Sequence, residues 1–148
     1  KMDLTEALNK TIDEYDIDLI VMGNKGESNS FGLFLGSTTV KTISSIRKCP
    51  ILSVPINADF QMPYEIAFAT DYKRNYDAQV LDSLKEMAIN CGSAIRVAHI
   101  NEEKTLSKTQ ESNLETLKTY LAPIDHSLHW MPNYKSKTTA IRTFLDEL

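Results

Sequence analysis

Leu4, Ala7, Leu8, Ile12 and Tyr15 recur at helical spacing with charged residues between them, so an amphipathic helix is expected at the start of the chain. Asp18 is followed by the unbroken apolar run Leu19 to Met22, the pattern of a strand buried on both faces of a parallel sheet. Ser37 to Lys48 reads as a helix with Val40, Ile43 and Ile46 as its apolar positions, and Arg47 and Lys48 lie where the helix dipole favours cations. Cys49-Pro50 stops that helix, and Ile51 to Val54 predicts a second strand. The stretch from Pro55 to Pro63 carries prolines at both ends and no periodicity, which marks a linker.

A new series then begins. Glu65 to Thr70 predicts a strand. Asn75 to Cys91 predicts a helix with Leu81, Leu84 and Ala88 on one face, closed by Gly92. Ala94 to Ile100 is the next strand, Lys108 to Leu121 a helix with Leu114, Leu117 and Leu121 in register, and Ser127 to Met131 a strand. Lys137 to Leu148 shows Ala140, Ile141, Phe144, Leu145 and Leu148 at helical spacing. Strands alternating with helices of this length predict an α/β fold with a doubly wound parallel sheet. The domain reading is residues 1–55, a linker at 56–63, and residues 64–148.

Composition narrows the partners. The 148 residues are 42% hydrophobic and 24% charged, as in a globular protein with a substantial core. A net charge of −4 gives no reason to expect nucleic acid or an anionic membrane as partner. No run is long enough to cross a bilayer, and no leader pattern opens the sequence. Cys49 and Cys91 match no metal-ligand or redox spacing, so both are expected to be reduced core thiols in a cytoplasmic protein. Lys1 already lies inside a helical pattern, which reads as a piece of a longer chain.

The chemistry concentrates in Gly23-Asn24-Lys25-Gly26, nine further residues, and Gly36-Ser37-Thr38. Glycine serves where backbone must adopt positive φ or approach a ligand closely. The far end of this loop opens a helix, whose free N–H groups and positive pole attract phosphate, with two hydroxyls beside them. The spacing fits neither the dinucleotide-fold fingerprint nor the P-loop. Read without a ligand, the glycines make a strand-to-helix loop and Ser37 caps the helix.

The pattern Gly23-x2-Gly26-x9-Gly36-Ser37, preceded by Asp18 to Met22 and followed by Cys49 to Val54, resembles the ATP-binding branch of the universal stress protein family. The resemblance implies that Gly23, Gly26, Gly36, Ser37 and Thr38 hold phosphates and ribose, with Met22 near the base or ribose. The second series resembles the first half of the same family's domain. Ile66 to Asp71 is similar to its opening strand, which implies that Asp71 faces the nucleoside. Val97 to Ile100 is similar to its second strand, which implies that Ile100 offers backbone groups to adenine. Asp71 has the alternative of capping the helix region at Asn75, and His99 reads as a core histidine. Lys25 and Glu27 depart from the family's usual residues. Glu27 opposes phosphate binding, while Lys25 and Lys41 offset it.

The resemblance also implies a Rossmann-like sheet of five parallel strands in the family's order 3-2-1-4-5, similar to adenine-nucleotide alpha hydrolases. Here the segments are permuted, because the family's last part precedes its first. Since the family often occurs as tandem domains, the chain reads as the end of one domain, a linker and the start of the next. Either one chain closes on itself as a permutant, or two chains exchange halves in a swapped homodimer. One nucleotide site per assembled sheet is expected, joining Asp71 and Ile100 to the Gly23–Ser37 loop. Residues 3–15 and 137–148 then compete for one helix position. The implied ligand is ATP, with Mg²⁺ accompanying it, and the implied role is stress sensing or adaptation. An interaction module of the same fold without nucleotide is the rival.

Other groupings carry less. No carboxylate pair has acid–base spacing, and Ser37 has no visible base, so slow ATP hydrolysis is the most expected in the way of catalysis. His126 and His129 are expected on opposite faces of a strand, Trp130 in the core, and Glu102-Glu103-Lys104 and Lys135 to Lys137 in solvated turns.

Overall fold

The structure, a computed structural model, describes residues 2–24, 36–56, 58–100, 105–132 and 136–148. It divides into two compact units, Lys1–Phe60 and Gln61–Leu148.

In the first unit, α1 (Leu4–Tyr15) begins with a reciprocal cap. The Asp3 carboxylate accepts from the first-turn backbone, and the Asp3 N–H donates to Glu6 Oε2 at 3.2 Å. Ile12 of α1 packs with Ile46 and Cys49, and Leu8, Ile17, Ile20 and Ile51 extend this cluster. Strands β1 (Ile20–Asn24) and β2 (Ile51–Pro55) pair in parallel from Ile20 opposite Ile51 to Asn24 opposite Pro55. Between them lies α2 (Ser37–Ser45), shorter than its apolar pattern predicts. Its buried positions are Thr39 and Thr42, followed by Ile46 at its C-cap, whereas Val40 and Ile43 are exposed. Burial of the threonines is possible because both hydroxyls are bonded. Thr39 Oγ1 donates to the Gly23 carbonyl at 3.4 Å and Thr42 Oγ1 to the Thr38 carbonyl at 2.9 Å. Arg47 Nη1 donates to the carbonyls of Ile43 and Ile46 at 2.8 and 3.2 Å, the placement expected of a cation at a helix end.

The second unit holds β3 (Glu65–Thr70), α3 (Ala78–Cys91), β4 (Ala94–Ile100), α4 (Lys108–Leu121), β5 (His126–Met131) and α5 (Lys137–Glu147). The strands form one parallel sheet in the order β3-β4-β5, with Thr70 opposite His99 and Ile100 opposite Met131. Helix α3 starts at Ala78 because Asp77 caps it, its carboxylate accepting the Gln79 N–H at 3.0 Å, and Gly92 ends it at φ 67°. One face of β4 carries Ile95 and Val97 into a core shared with Tyr72, Leu81, Ala88, Leu114, Leu117 and Leu121. The other face carries Ala98 against Met131 and Phe144 of α5, with Ile100 beside them. Trp130 departs from its expected core position and is 49% exposed, since it lies on the edge strand β5 and meets His99 by its edge, with centroids 4.9 Å apart.

The described strands therefore form two sheets, β1-β2 and β3-β4-β5, and not one five-stranded sheet in the order 3-2-1-4-5. Each pair that forms is closed by one helical crossover inside its own unit, the connection that costs a parallel pair least chain entropy. Nor do α1 and α5 compete for one position. Each packs within its own unit, α1 through Ile12 and α5 through Phe144. Among the described residues no helix is long and apolar enough to cross a membrane.

Candidate functional site

Parallel α/β sheets bind ligands beyond the carboxyl ends of their strands, and the residues singled out from the sequence lie at such ends in both units. In the first unit Met22 is half-buried in β1 and Gly23 follows it. Gly23 has no positive φ, and a Cβ built there meets nothing within 4 Å, so no described neighbour requires a glycine. Gly36 is the N-cap of α2 and makes no side-chain cap, so Ser37 is the first helical residue and not the cap. The bond from Thr39 to the Gly23 carbonyl ties the end of β1 to the first turn of α2. Ser37 and Thr38 are exposed and line a cleft of about 350 Å³ with Asp3, Leu4, Thr5, Lys41 and Thr42. There Lys41 Nζ meets Asp3 Oδ2 at 2.7 Å, and the ammonium holds the Asp3 carboxyl below the usual carboxylate range. Lys41, expected to help hold phosphate, is thus engaged with an acid. Gly26, Lys25 and Glu27 lie outside the described residues, as do Glu102, Glu103, Lys104 and Lys135.

In the second unit Asp71 and Ile100 come together. They follow β3 and end β4, and they line a cleft of about 450 Å³ with Ala69, Thr70, Arg74, Asn75, Tyr76, Lys137 and Ile141. Asp71 does not cap α3. Its Oδ1 accepts the Lys73 N–H at 3.0 Å, a local turn that leaves the carboxylate half-buried at the cleft. Thr70 Oγ1 bonds the Tyr76 hydroxyl at 2.8 Å and accepts the Tyr72 N–H at 3.2 Å. Burial pushes the Tyr76 phenol upward in pKa, against the opposing effect of that bond to Thr70. The cleft joins one carboxylate, a guanidinium and an ammonium to an apolar wall, a composition suited to a polar ligand with one flat apolar part.

Behind this cleft the chain is unusual. Tyr72 sits at φ 56° and is buried, and burial raises its phenol to about 12. Its ring stacks on His99 with centroids 4.6 Å apart and planes at 18°. His99 Nδ1 donates to the Thr70 carbonyl at 3.1 Å, while its buried Nε2 has no hydrogen-bond partner among the described residues. His99 is therefore a core histidine satisfied on one nitrogen only. Sequence reasoning gave Arg74 and Tyr76 no role at the cleft and set Lys137 in a solvated turn, whereas Lys137 opens α5 at the cleft. It also passed over Gln110 and Asn113, polar residues on the stripe that carries Leu114, Leu117 and Leu121. Polar side chains interrupting an apolar stripe were the readable signal there.

His126 and His129 are each engaged in a hydrogen bond close by in sequence. His126 Nδ1 bonds the Ile124 carbonyl at 2.8 Å and His129 Nε2 bonds Ser127 Oγ at 2.6 Å. Among the described residues no group of three His, Cys, Asp or Glu could hold a metal ion.

The one sheet expected to join Asp71 and Ile100 to the glycine loop is not formed. These groups stand at the ends of different sheets in different units.

The model of the Universal stress protein family matches residues 2–55, from just before α1 to the end of β2. The chain is similar to that family over this segment, and the match stops short of the second unit. Comparison with curated proteins and with solved structures found no match.

Proposed function

We propose that the chain is a universal-stress-type protein that binds ATP and serves in the cytoplasm as a stress-response sensor or adaptor. The observation that carries this reading is the meeting of Asp71 and Ile100 in one cleft at the carboxyl ends of neighbouring strands. The family match over residues 2–55 supports it, as does Gly23, whose lack of a side chain no described neighbour explains. Each unit then carries, by itself, its own share of the family's binding residues. Gly23, Gly36, Ser37 and Thr38, with Met22 beside them and Gly26 between, take phosphate and ribose in the first. Asp71 bonds ribose hydroxyls and Ile100 the adenine edge in the second. A Mg²⁺ ion accompanying the nucleotide is held by the phosphates themselves, as such ions commonly are. Among the described residues no side chain is placed as a general base toward either half, and binding is the activity proposed.

Calorimetric titration of the whole chain with ATP tests the reading. Saturable binding is expected, weakened about tenfold or more in Asp71→Ala, since a carboxylate bonding two hydroxyls contributes on the order of 1–3 kcal/mol. No heat at millimolar ATP overturns it. Phosphate release above background, abolished by Gly36→Val, shifts the reading to an ATPase.

One observation favours a second reading, an interaction module that dimerises. Val21, Leu52 and Val54 expose 61%, 42% and 36% of their surface on one face of the β1-β2 sheet, whereas parallel strands are ordinarily covered on both faces. Sedimentation showing a homodimer that Leu52→Glu dissociates, in a chain silent toward ATP, selects it.

A further inference from the structure

Two side chains of α4 grip the turn that carries Asp71. Gln110 Nε2 donates to the Asp71 carbonyl at 2.9 Å, and Asn113 Nδ2 donates to the Tyr72 carbonyl at 2.9 Å. Both are nearly buried, with 3% and 6% of their surface exposed. The two carbonyls belong to consecutive residues, and the second residue has a left-handed backbone that a tyrosine adopts only at a cost. Nothing local favours that conformation, so the surroundings must hold it. Asn113 holds the carbonyl, Thr70 Oγ1 accepts the Tyr72 N–H, and His99 stacks on the ring. Gln110 is also bound at its other end. Its Oε1 accepts the Ser107 N–H at 3.0 Å, within the reciprocal cap that starts α4. The start of α4 and the Asp71 turn are therefore one hydrogen-bonded assembly.

The left-handed step at Tyr72 has a consequence for the cleft. It bends the chain directly after Asp71, so that Oδ1 can accept the Lys73 N–H beside the cleft. Without this step the chain would leave β3 extended, and Oδ1 would lose the Lys73 N–H that fixes the direction of the carboxylate. We propose that Gln110 and Asn113 are positioning residues that aim the Asp71 carboxylate at the ligand by holding the Asp71 and Tyr72 carbonyls. The proposal rests on the nucleotide reading for what the carboxylate does, but its geometric half stands independently.

The test uses the full chain and has two arms. In the first, ATP affinity is measured for Asn113→Leu and for Gln110→Glu, which keeps the acceptor that caps α4 and removes the donor to Asp71. Each is made alone and with Asp71→Asn. Asn113→Leu is expected to raise Kd about tenfold in the parent chain, as loss of a buried hydrogen bond does. Beside Asp71→Asn its further effect is expected to be under about twofold, because it acts through that carboxylate. Equal losses in both backgrounds mean general support of the fold and overturn the proposal. In the second arm, amide hydrogen exchange is followed without ligand. The Lys73 amide is expected to lose protection in both variants while Ile95 and Val97 of β4 keep theirs. Unchanged protection at Lys73 overturns the proposal, and so does protection lost equally throughout the unit. If the parent chain binds no ATP while Lys73 behaves as expected, the nucleotide reading fails and the positioning assignment stands.

Discussion

The two units use the same local grammar, a strand crossing through a helix to a parallel neighbour, and reach different degrees of completion. In the second unit β4 lies between two strands and has helices over both faces, so nearly every one of its positions is buried or half-buried. In the first unit each strand has a single neighbour, and β2 has no fully buried position. Its core is the small cluster around Ile12, Ile46 and Cys49. A parallel strand becomes a core element only when flanked on both edges and covered on both faces. The difference between the units is a difference in neighbours, since Ile20 to Met22 is as apolar a run as Ile95 to Val97 is with Arg96 at its centre.

This comparison is breakable, most forcefully through the core. Leu117→Ala removes a side chain with no exposed surface and is expected to cost the second unit about 2–5 kcal/mol. Ile46→Ala, set in a smaller core free to collapse, is expected at about 2 kcal/mol. Denaturation followed by amide exchange separates the units, and the chain's one tryptophan, Trp130, reports the second alone. An equal or greater loss from Ile46→Ala contradicts the asymmetry.

The next effect is one of pH. Burial raises the Tyr72 phenol to about 12 from its ordinary value of 10. Because the folded state holds the proton longer than the unfolded chain, this stability is complete below about 10 and is lost as pH rises towards 12. The second unit is expected to show this loss in alkaline melts, and Tyr72→Phe to remove it. Smaller still is Asp77→Ala, which leaves the Gln79 N–H uncapped and is expected to cost about 1 kcal/mol, read from the same denaturation curves. The smallest is Asp3→Asn. The Asp3 carboxyl is held low by Lys41, so the pair contributes above the ordinary carboxylate range and fades as pH falls below it. Only the first unit is expected to respond, slightly, and high salt is expected to erase the difference.

Element positions were legible because they follow from local rules. The helices at Lys108 and Lys137 and the strands at Glu65, Ala94 and Ile51 begin where capping residues and apolar runs place them. The misreadings have physical causes. Asn75 to Asp77 lie outside α3 because Asp77 is the better cap. Val40 and Ile43 face outward because Thr39 can reach the Gly23 carbonyl and they cannot satisfy it. Asp71 and Ile100 were identified through family resemblance, and their proximity follows from the register that sets Thr70 opposite His99. Gln110 and Asn113 were missed because their partners lie 39 and 41 residues away, beyond any periodicity.

By itself the sequence determined the alternation of strands and helices and the glycine-rich stretch after the first strand. These depend on side-chain period, capping chemistry and backbone freedom, all expressed within a few residues. Only the tertiary structure decided that the strands group as two sheets, that α1 and α5 each cover their own, and that Tyr72 takes a left-handed backbone under the grip of α4. Such choices depend on which surfaces meet and which buried polar atoms find partners, and those are properties of distant residues brought together.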